Sequence, residues 1–316
     1  MSFSIETKNE LARQTPAKKC CQLSEIAGFL RVSGSLRLAG GGKFKIVITT
    51  ENAAVARHYK KLIKEYFGVD VSLEIGEASG PNGGYRYGLT INPEQHSEQI
   101  LRETGILLVK EGNNFISDGI YDDIIRTKCC RKSYLRGMFM ASGSVTDPEK
   151  GYHFEIVIPR QQLAKDLKKI LNTFEDINAK YIKRKKHYVV YLKNSSQIRD
   201  VLAIMGAHSH ALKFDDILLK RAMVNEAVRI TNCDTANTDR ALDASEKQIR
   251  SIRKIQECKG LAFLPVKLRQ VAEVRLQHPE MNLTQIGEML DPPLKKSGVN
   301  NRFRRIGDIA DKLDEI

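Results

Sequence analysis

Between Lys295 and Arg305 the sequence carries five basic residues, at positions 295, 296, 302, 304 and 305, and no acid. Ser297, Asn300 and Asn301 are interleaved with them. Arginine and asparagine suit the base edges exposed in a DNA major groove. Lysine, serine and the free N–H groups of a helix end suit phosphate oxygens. Lys295, Lys296, Ser297, Asn300, Asn301, Arg304 and Arg305 therefore form a candidate DNA-binding set if they lie at the start of a helix, where recognition helices touch bases. Acids return at Asp308, Asp311, Asp314 and Glu315, so the positive face is local. A second basic run, Lys180, Lys183, Arg184, Lys185 and Lys186, suits backbone contacts along a duplex. A solvated charged hairpin accounts for that run equally well.

Other reactive residue types point to less. The six cysteines stand at 20, 21, 129, 130, 233 and 258. The adjacent pairs lack the two-residue gap of zinc knuckles, and no nearby histidine completes a ligand set. We read them as small reduced side chains packed at the starts of two equivalent helices, with no metal and no cofactor. No nucleophile and base are paired well enough to nominate an enzyme. The absence of tryptophan and the modest number of Tyr and Phe argue against a sugar-binding or aromatic-cage role.

The elements that must position these residues are announced by an internal repeat. Lys19 to Ser35 reads KCCQLSEIAGFLRVSGS and Lys128 to Ser144 reads KCCRKSYLRGMFMASGS, with the identities at one constant offset. A repeat of this period means two related half-domains rather than a solenoid. Phe44–Ile48 and Phe154–Ile158 alternate like half-buried strands, and each is followed by an amphipathic stretch, Asn52–Phe67 and Gln161–Phe174. Strand-like runs follow at 69–75 and 85–91, then at 180–185 and 187–193, with turn chemistry at Gly80 to Gly84. Closing helices are expected near Ser97–Glu103 and Ser196–Ile204. The expected unit is helix, hairpin, helix, hairpin, helix, used twice. In the repeated helix Ser24 and Gly28, and Ser133, Gly137 and Ala141, recur at four-residue spacing. Such a stripe lets two backbones approach, so Gly28 and Gly137 are the expected packing points on a pseudo-twofold axis.

Beyond Phe214 the pattern turns all-helical. A helix is expected over Asp215–Arg229, a polar turn-rich connection over Thr231–Thr238 and a charged helix over Ala241–Cys258. From Pro265 the chain reads as a helix-turn-helix. Its first helix ends near Gln277, its second is capped by Asn282 or Thr284, and its third is capped by Ser297 and runs to about Leu313. Val299, Phe303, Ile306 and Ile309 or Ala310 form the third helix's buried stripe, opposite the basic set. The expected domains are residues 1–229, with halves of about 1–110 and 111–229, a connector at 230–263, and the helix-turn-helix at 264–316.

With 316 residues, a formal charge of +13 and a pI near 9.4, the chain favours a polyanionic partner, nucleic acid before membrane surface. No apolar stretch approaches the ~20 residues that span a bilayer, and the polar N-terminus shows no secretory signal. A cytoplasmic location follows as the expectation.

Ile26–Ser35 and Leu135–Ser144 resemble the LAGLIDADG motif of homing endonucleases, which implies αββαββα halves. In that family the residue before the last glycine is the acid that holds the catalytic metal; here it is Ser33 and Ser142. The acid at the sixth motif position is replaced by Arg31 and Met140. A neutral hydroxyl is a poor ligand for a hard divalent cation, so cleavage is expected to be lost in both halves. The whole chain resembles the WhiA family of bacterial regulators, through the paired degenerate motif, the Thr231–Asn237 segment and the terminal helix-turn-helix. The resemblance implies an α+β fold: a duplicated LAGLIDADG-like domain followed by an all-α helix-turn-helix domain similar to region 4 of sigma factors. It implies a nucleoid-associated transcriptional regulator with a role in cell division, chromosome segregation or sporulation. The implied partners are double-stranded DNA and a protein co-regulator, with no membrane and no set oligomeric state. Two rivals stand beside this reading: an active nuclease, and a scaffold of the division or nucleoid machinery in which DNA binding is secondary.

Overall fold

The computed structural model describes residues 2–40, 43–77 and 84–313, so most of the turn expected at Gly80 to Gly84, and the acids Asp314 and Glu315, lie outside the described residues. Contacts divide the chain into two compact units, Met1–Arg221 and Ala222–Ile316.

The first unit opens with α1 (Phe3–Leu11), a short helix that the sequence reading did not anticipate; it buries Leu11 completely. Then come α2 (Lys19–Ser33), β1 (Gly34–Leu38), β2 (Phe44–Thr50), α3 (Ala53–Phe67), β3 (Ser72–Glu77), β4 (Tyr85–Ile91) and α4 (Ser97–Glu103). An additional hairpin, β5 (Leu107–Lys110) with β6 (Asn113–Ile116), precedes the second copy. That copy comprises α5 (Lys128–Ser142), β7 (Gly143–Val145), β8 (Phe154–Ile158), α6 (Gln161–Leu171), β9 (Lys180–Arg184), β10 (His187–Leu192) and α7 (Ser195–Met205). The two larger sheets have the same antiparallel order, β1-β2-β4-β3 and β7-β8-β10-β9. The expected αββαββα duplication is present.

Local chemistry explains these elements. Asn52 Oδ1 accepts from the N–H groups of Ala54 and Val55 at 2.9 and 3.1 Å and starts α3. Gly68 ends it in the left-handed region at φ +72°. In β8 the buried Phe154, Ile156 and Ile158 alternate with half-buried Glu155 and Val157, the period of a strand with one covered face.

Helices α2 and α5 cross at the centre of the unit. A Cβ on Gly28 would strike the carbonyl oxygen of Tyr134, and one on Gly137 would strike that of Glu25. Only a missing side chain permits that backbone approach. Ser24 Oγ donates to the Ile124 carbonyl at 2.5 Å, tying α2 to the segment before α5. Glu25 is wholly buried beside this crossing, held by Arg136 Nε at 2.8 Å and by His58 Nε2 at 2.7 Å. Removing one partner of such a pair leaves an uncompensated charge, so the three residues stand or fall together.

The last helix of this stretch, α8 (His208–Lys259), corrects two expectations. Thr231–Thr238 is helical, not a turn-rich connection, and the helices expected on either side of it are parts of one element. Internal hydrogen bonds accommodate the threonines: Thr231 Oγ1 donates to the Ala227 carbonyl at 3.0 Å and Thr238 Oγ1 to the Asp234 carbonyl at 2.9 Å. The hydroxyls are thus satisfied four residues back along the helix rather than in a turn. The unit boundary also falls earlier than residue 229, between Arg221 and Ala222.

The second unit packs the end of α8 with α9 (Val266–Gln277), α10 (Leu283–Glu288) and α11 (Lys296–Lys312). Ile252 and Ile255 of α8 belong to this core, together with Val271, Ile286, Val299 and Ile306, all fully buried. The helix-turn-helix core therefore begins upstream of residue 264. Among the described residues no helix is long and apolar enough to cross a membrane.

Candidate nucleic-acid interface

Helix α11 is fixed by its apolar side. Val299, Phe303, Ile306 and Ala310 recur at helical spacing and are at most 5 % exposed. The side chains of Lys295, Lys296, Ser297, Asn300, Asn301, Arg304 and Arg305 are all exposed, at the N-terminal end of the same helix. One expected detail differs. Lys295 rather than Ser297 occupies the cap position, and no side chain caps the first turn. Ser297 is the second residue of the helix, and the open N–H groups of that turn remain available to an anion.

The turn before α11 is held by backbone. Asn282 and Gln285 make a reciprocal capping box at the start of α10. The Leu294 N–H donates to the Gly287 carbonyl at 2.9 Å, and a Cβ on Gly287 would strike the Leu294 carbonyl oxygen. Arg275 joins the pieces. It is 2 % exposed and donates to Gln248 Oε1 at 3.0 Å and to the carbonyls of Pro279 and Met281 at 3.2 and 2.5 Å. Its guanidinium carbon stands 5.3 Å from the Phe303 ring centroid. Burial pushes its pKa down from the ordinary arginine value, with Glu280 acting against that shift. Arg302, the fifth basic residue of the run, is half-buried and donates to the Lys267 carbonyl at 3.1 Å, so it serves the fold. Sequence reasoning missed Arg275, because one arginine on an apolar helix face carries no distinguishing pattern.

In the first unit Lys180, Lys183, Arg184, Lys185 and Lys186 are all exposed on the edge strand β9 and the turn that follows. Lys183, Lys185 and Lys186 line a concavity of about 680 Å³, to which Arg160 and Lys165 add two cations that the run in the sequence did not reveal. A second concavity, of about 560 Å³, has Lys8, Arg57 and Arg86 at its walls. Burial pushes the Lys8 ammonium down from 10.5 to about 8, against the attraction of Glu51.

The positions where the resemblance would require metal-binding acids do not fit a hard divalent cation. Ser33 Oγ donates to the Phe29 carbonyl at 2.7 Å, and Ser142 Oγ to the Val157 carbonyl at 2.6 Å. Each hydroxyl is spent on a backbone carbonyl, Ser33 on its own helix and Ser142 on β8. Arg31, at the sixth motif position of the first copy, places a cation there instead, donating to the carbonyls of Ser117 and Gly105 at 2.7 and 2.9 Å.

Comparison with known proteins agrees with this division. Residues 19–107 match the WhiA N-terminal LAGLIDADG-like domain, 131–224 the WhiA LAGLIDADG-like domain and 227–310 the WhiA C-terminal HTH domain. The probable cell division protein WhiA of Thermoanaerobacter pseudethanolicus is 42% identical over 315 residues, covering 100% of this chain and 99% of that one. Its counterpart from Alkaliphilus oremlandii is 43% identical over 317 residues, covering 100% and 98%. The crystal structure of full-length DUF199/WhiA from Thermatoga maritima superimposes with a TM-score of 0.61 at 28% identity, covering 99% of each chain. With both LAGLIDADG-like halves and the helix-turn-helix matched along nearly its full length, this chain belongs to the WhiA family.

Proposed function

We propose that the chain is a sequence-specific DNA-binding transcriptional regulator and not a nuclease. The observation that carries this reading is the division of α11 into a buried apolar stripe and an exposed cluster of Lys, Asn, Ser and Arg at its N-terminal end. In it Asn300, Asn301, Arg304 and Arg305 read base edges, while Lys295, Lys296 and Ser297 hold phosphates. Lys180, Lys183, Arg184, Lys185 and Lys186 give the duplicated domain a backbone-tracking surface. Ser33 and Ser142, engaged with carbonyls and unable to replace carboxylates, leave the former nuclease scaffold without metal-assisted hydrolysis. On this reading the chain works at the nucleoid in the cytoplasm, on cell division, chromosome segregation or sporulation; that relatives carry the name probable cell division protein supports the first. Footprinting on genomic fragments tests the reading. Protection of a defined sequence that Arg304→Ala abolishes supports it, and magnesium-dependent cleavage of the same fragments contradicts it.

A scaffold reading has one observation of its own. Met223, Val224, Val228 and Ile230 of α8, all in the second unit, are each more than half exposed, an apolar series suited to a protein partner such as a co-regulator. If cellular function survives loss of specific DNA binding in the N301A/R304A variant, this second reading replaces the first.

A further inference from the structure

The two Cys-Cys pairs, 109 residues apart in register and unremarkable in the sequence, meet in space. Each pair lies in the first turn of one of the two crossing helices, Cys20 and Cys21 in α2, Cys129 and Cys130 in α5. The Sγ atoms of Cys20, Cys21 and Cys130 all lie within 4.8 Å of one another. Cys129 Sγ is in hydrogen-bonding reach of Cys21. None of the four is in a disulfide. No other group of three or more His, Cys, Asp or Glu ligand atoms converges in this way among the described residues.

We propose that Cys20, Cys21, Cys129 and Cys130 form a thiolate site for a soft tetrahedral cation of the zinc type, joining the two repeats where their paired helices begin. Tetrahedral zinc with Zn–S bonds of ~2.3 Å needs sulfurs about 3.8 Å apart; three of the four already lie within 4.8 Å of one another, and Cys129 stands beside Cys21 to supply the fourth. The donor set is all sulfur, which selects Zn²⁺ or Cu⁺ over Mg²⁺ or Ca²⁺. Lys18 and Lys132 stand beside Cys21 and Cys129 around a cavity of about 350 Å³, where they offset thiolate charge and leave a route in from solvent. Cys20 is exposed, a second side of access. Thr127 supplies an outer partner: its Oγ1 lies 3.1 Å from Cys129 Sγ and accepts the Cys130 N–H at 3.2 Å. The spacing rule that excludes a zinc knuckle concerns ligands from one short loop. Here pseudo-symmetry supplies the second pair from across the helix crossing.

The full-length chain, purified with reductant and without chelator, tests the proposal by cobalt titration. Co²⁺ should give the near-ultraviolet thiolate-to-cobalt charge-transfer band and the visible bands of a tetrahedral site, and Zn²⁺ should displace both. The C20S/C130S double variant should lose these bands, and C233S/C258S should keep them. C20S alone, at an exposed position, gives the same reading if the double variant fails to fold, and should weaken binding by more than the ~10–100-fold that loss of an outer partner in Thr127→Ala gives. Zinc should also raise the Tm of the wild-type chain, and a chelator should reverse the rise. Absence of the cobalt bands from the reduced wild type, their persistence in C20S/C130S, or wild-type cobalt affinity in C20S overturns the proposal. So does recovery of the four cysteines as disulfides between the helices whose reduced form takes up no cobalt.

Discussion

Asn301 and Arg304 lie three residues apart on α11, and Asn300 and Arg304 four, so their side chains emerge on one side of the helix. If they reach base edges, Asn301→Ala and Arg304→Ala should each weaken specific binding by about 1–3 kcal/mol and relax preference at one position of the site. Lys296→Ala should instead weaken binding to all sequences alike and reduce the salt slope by about 1. Fluorescence anisotropy at several salt concentrations separates the two behaviours, and equal loss of specificity in all three variants would refute the division of roles. Gly28→Ala and Gly137→Ala each drive a methyl group into the opposite backbone and should destabilise the first unit by about 1–3 kcal/mol in denaturant titration. Lys8 gives a pH signature. Its folded pKa of about 8 lies below the unfolded 10.5, so the unfolded chain holds the proton more tightly. The penalty is complete below pH 8 and fades as pH rises toward 10.5, so Lys8→Met should stabilise the protein at neutral pH by a margin that shrinks through that window. The residues of α11 were legible because their signal is local: type, spacing and an absence of acid within one helix. The convergence of four cysteines was not, because it depends on how two distant helices cross.

At the scale of elements, the buried Arg275 replaces what would otherwise be loose turn geometry between α9 and α11. Arg275→Ala should remove three hydrogen bonds and leave the Pro279 and Met281 carbonyls without this donor, lowering the stability of the second unit by about 2–3 kcal/mol. A thermal scan that shows no change would mean that the turn is held without Arg275, by the Asn282–Gln285 capping box and the Gly287–Leu294 contact. Most element boundaries were readable from periodicity, as in α3, where Asn52 and Gly68 mark both ends. Thr231–Thr238 was not readable, since its Thr, Asn and Asp are turn-favouring types, and nothing in the sequence shows that the Thr231 and Thr238 hydroxyls bond carbonyls four residues back along one helix. The β5–β6 hairpin escaped for a different reason: its outer strand Asn113–Ile116 is exposed at every position and lacks the alternation that marks a strand.

At the scale of the whole molecule, duplication was written in the repeat, whereas the unit boundary inside α8 was not, because the helix continues through it without a break in pattern. A truncation at residue 264 would strip the cover from Ile252 and Ile255. A cut between Arg221 and Ala222 respects both cores, and the two fragments should each unfold cooperatively. The central claim is that sequence is read by α11 and that nothing is cut. Selection of binding sites from a random duplex library, with the intact chain and with N301A/R304A in magnesium buffer, tests it most directly. The account predicts that the intact chain enriches one motif with every recovered duplex uncleaved, and that the double variant enriches none while retaining salt-sensitive binding. The same motif enriched by both proteins, or cleaved product from either, would contradict it.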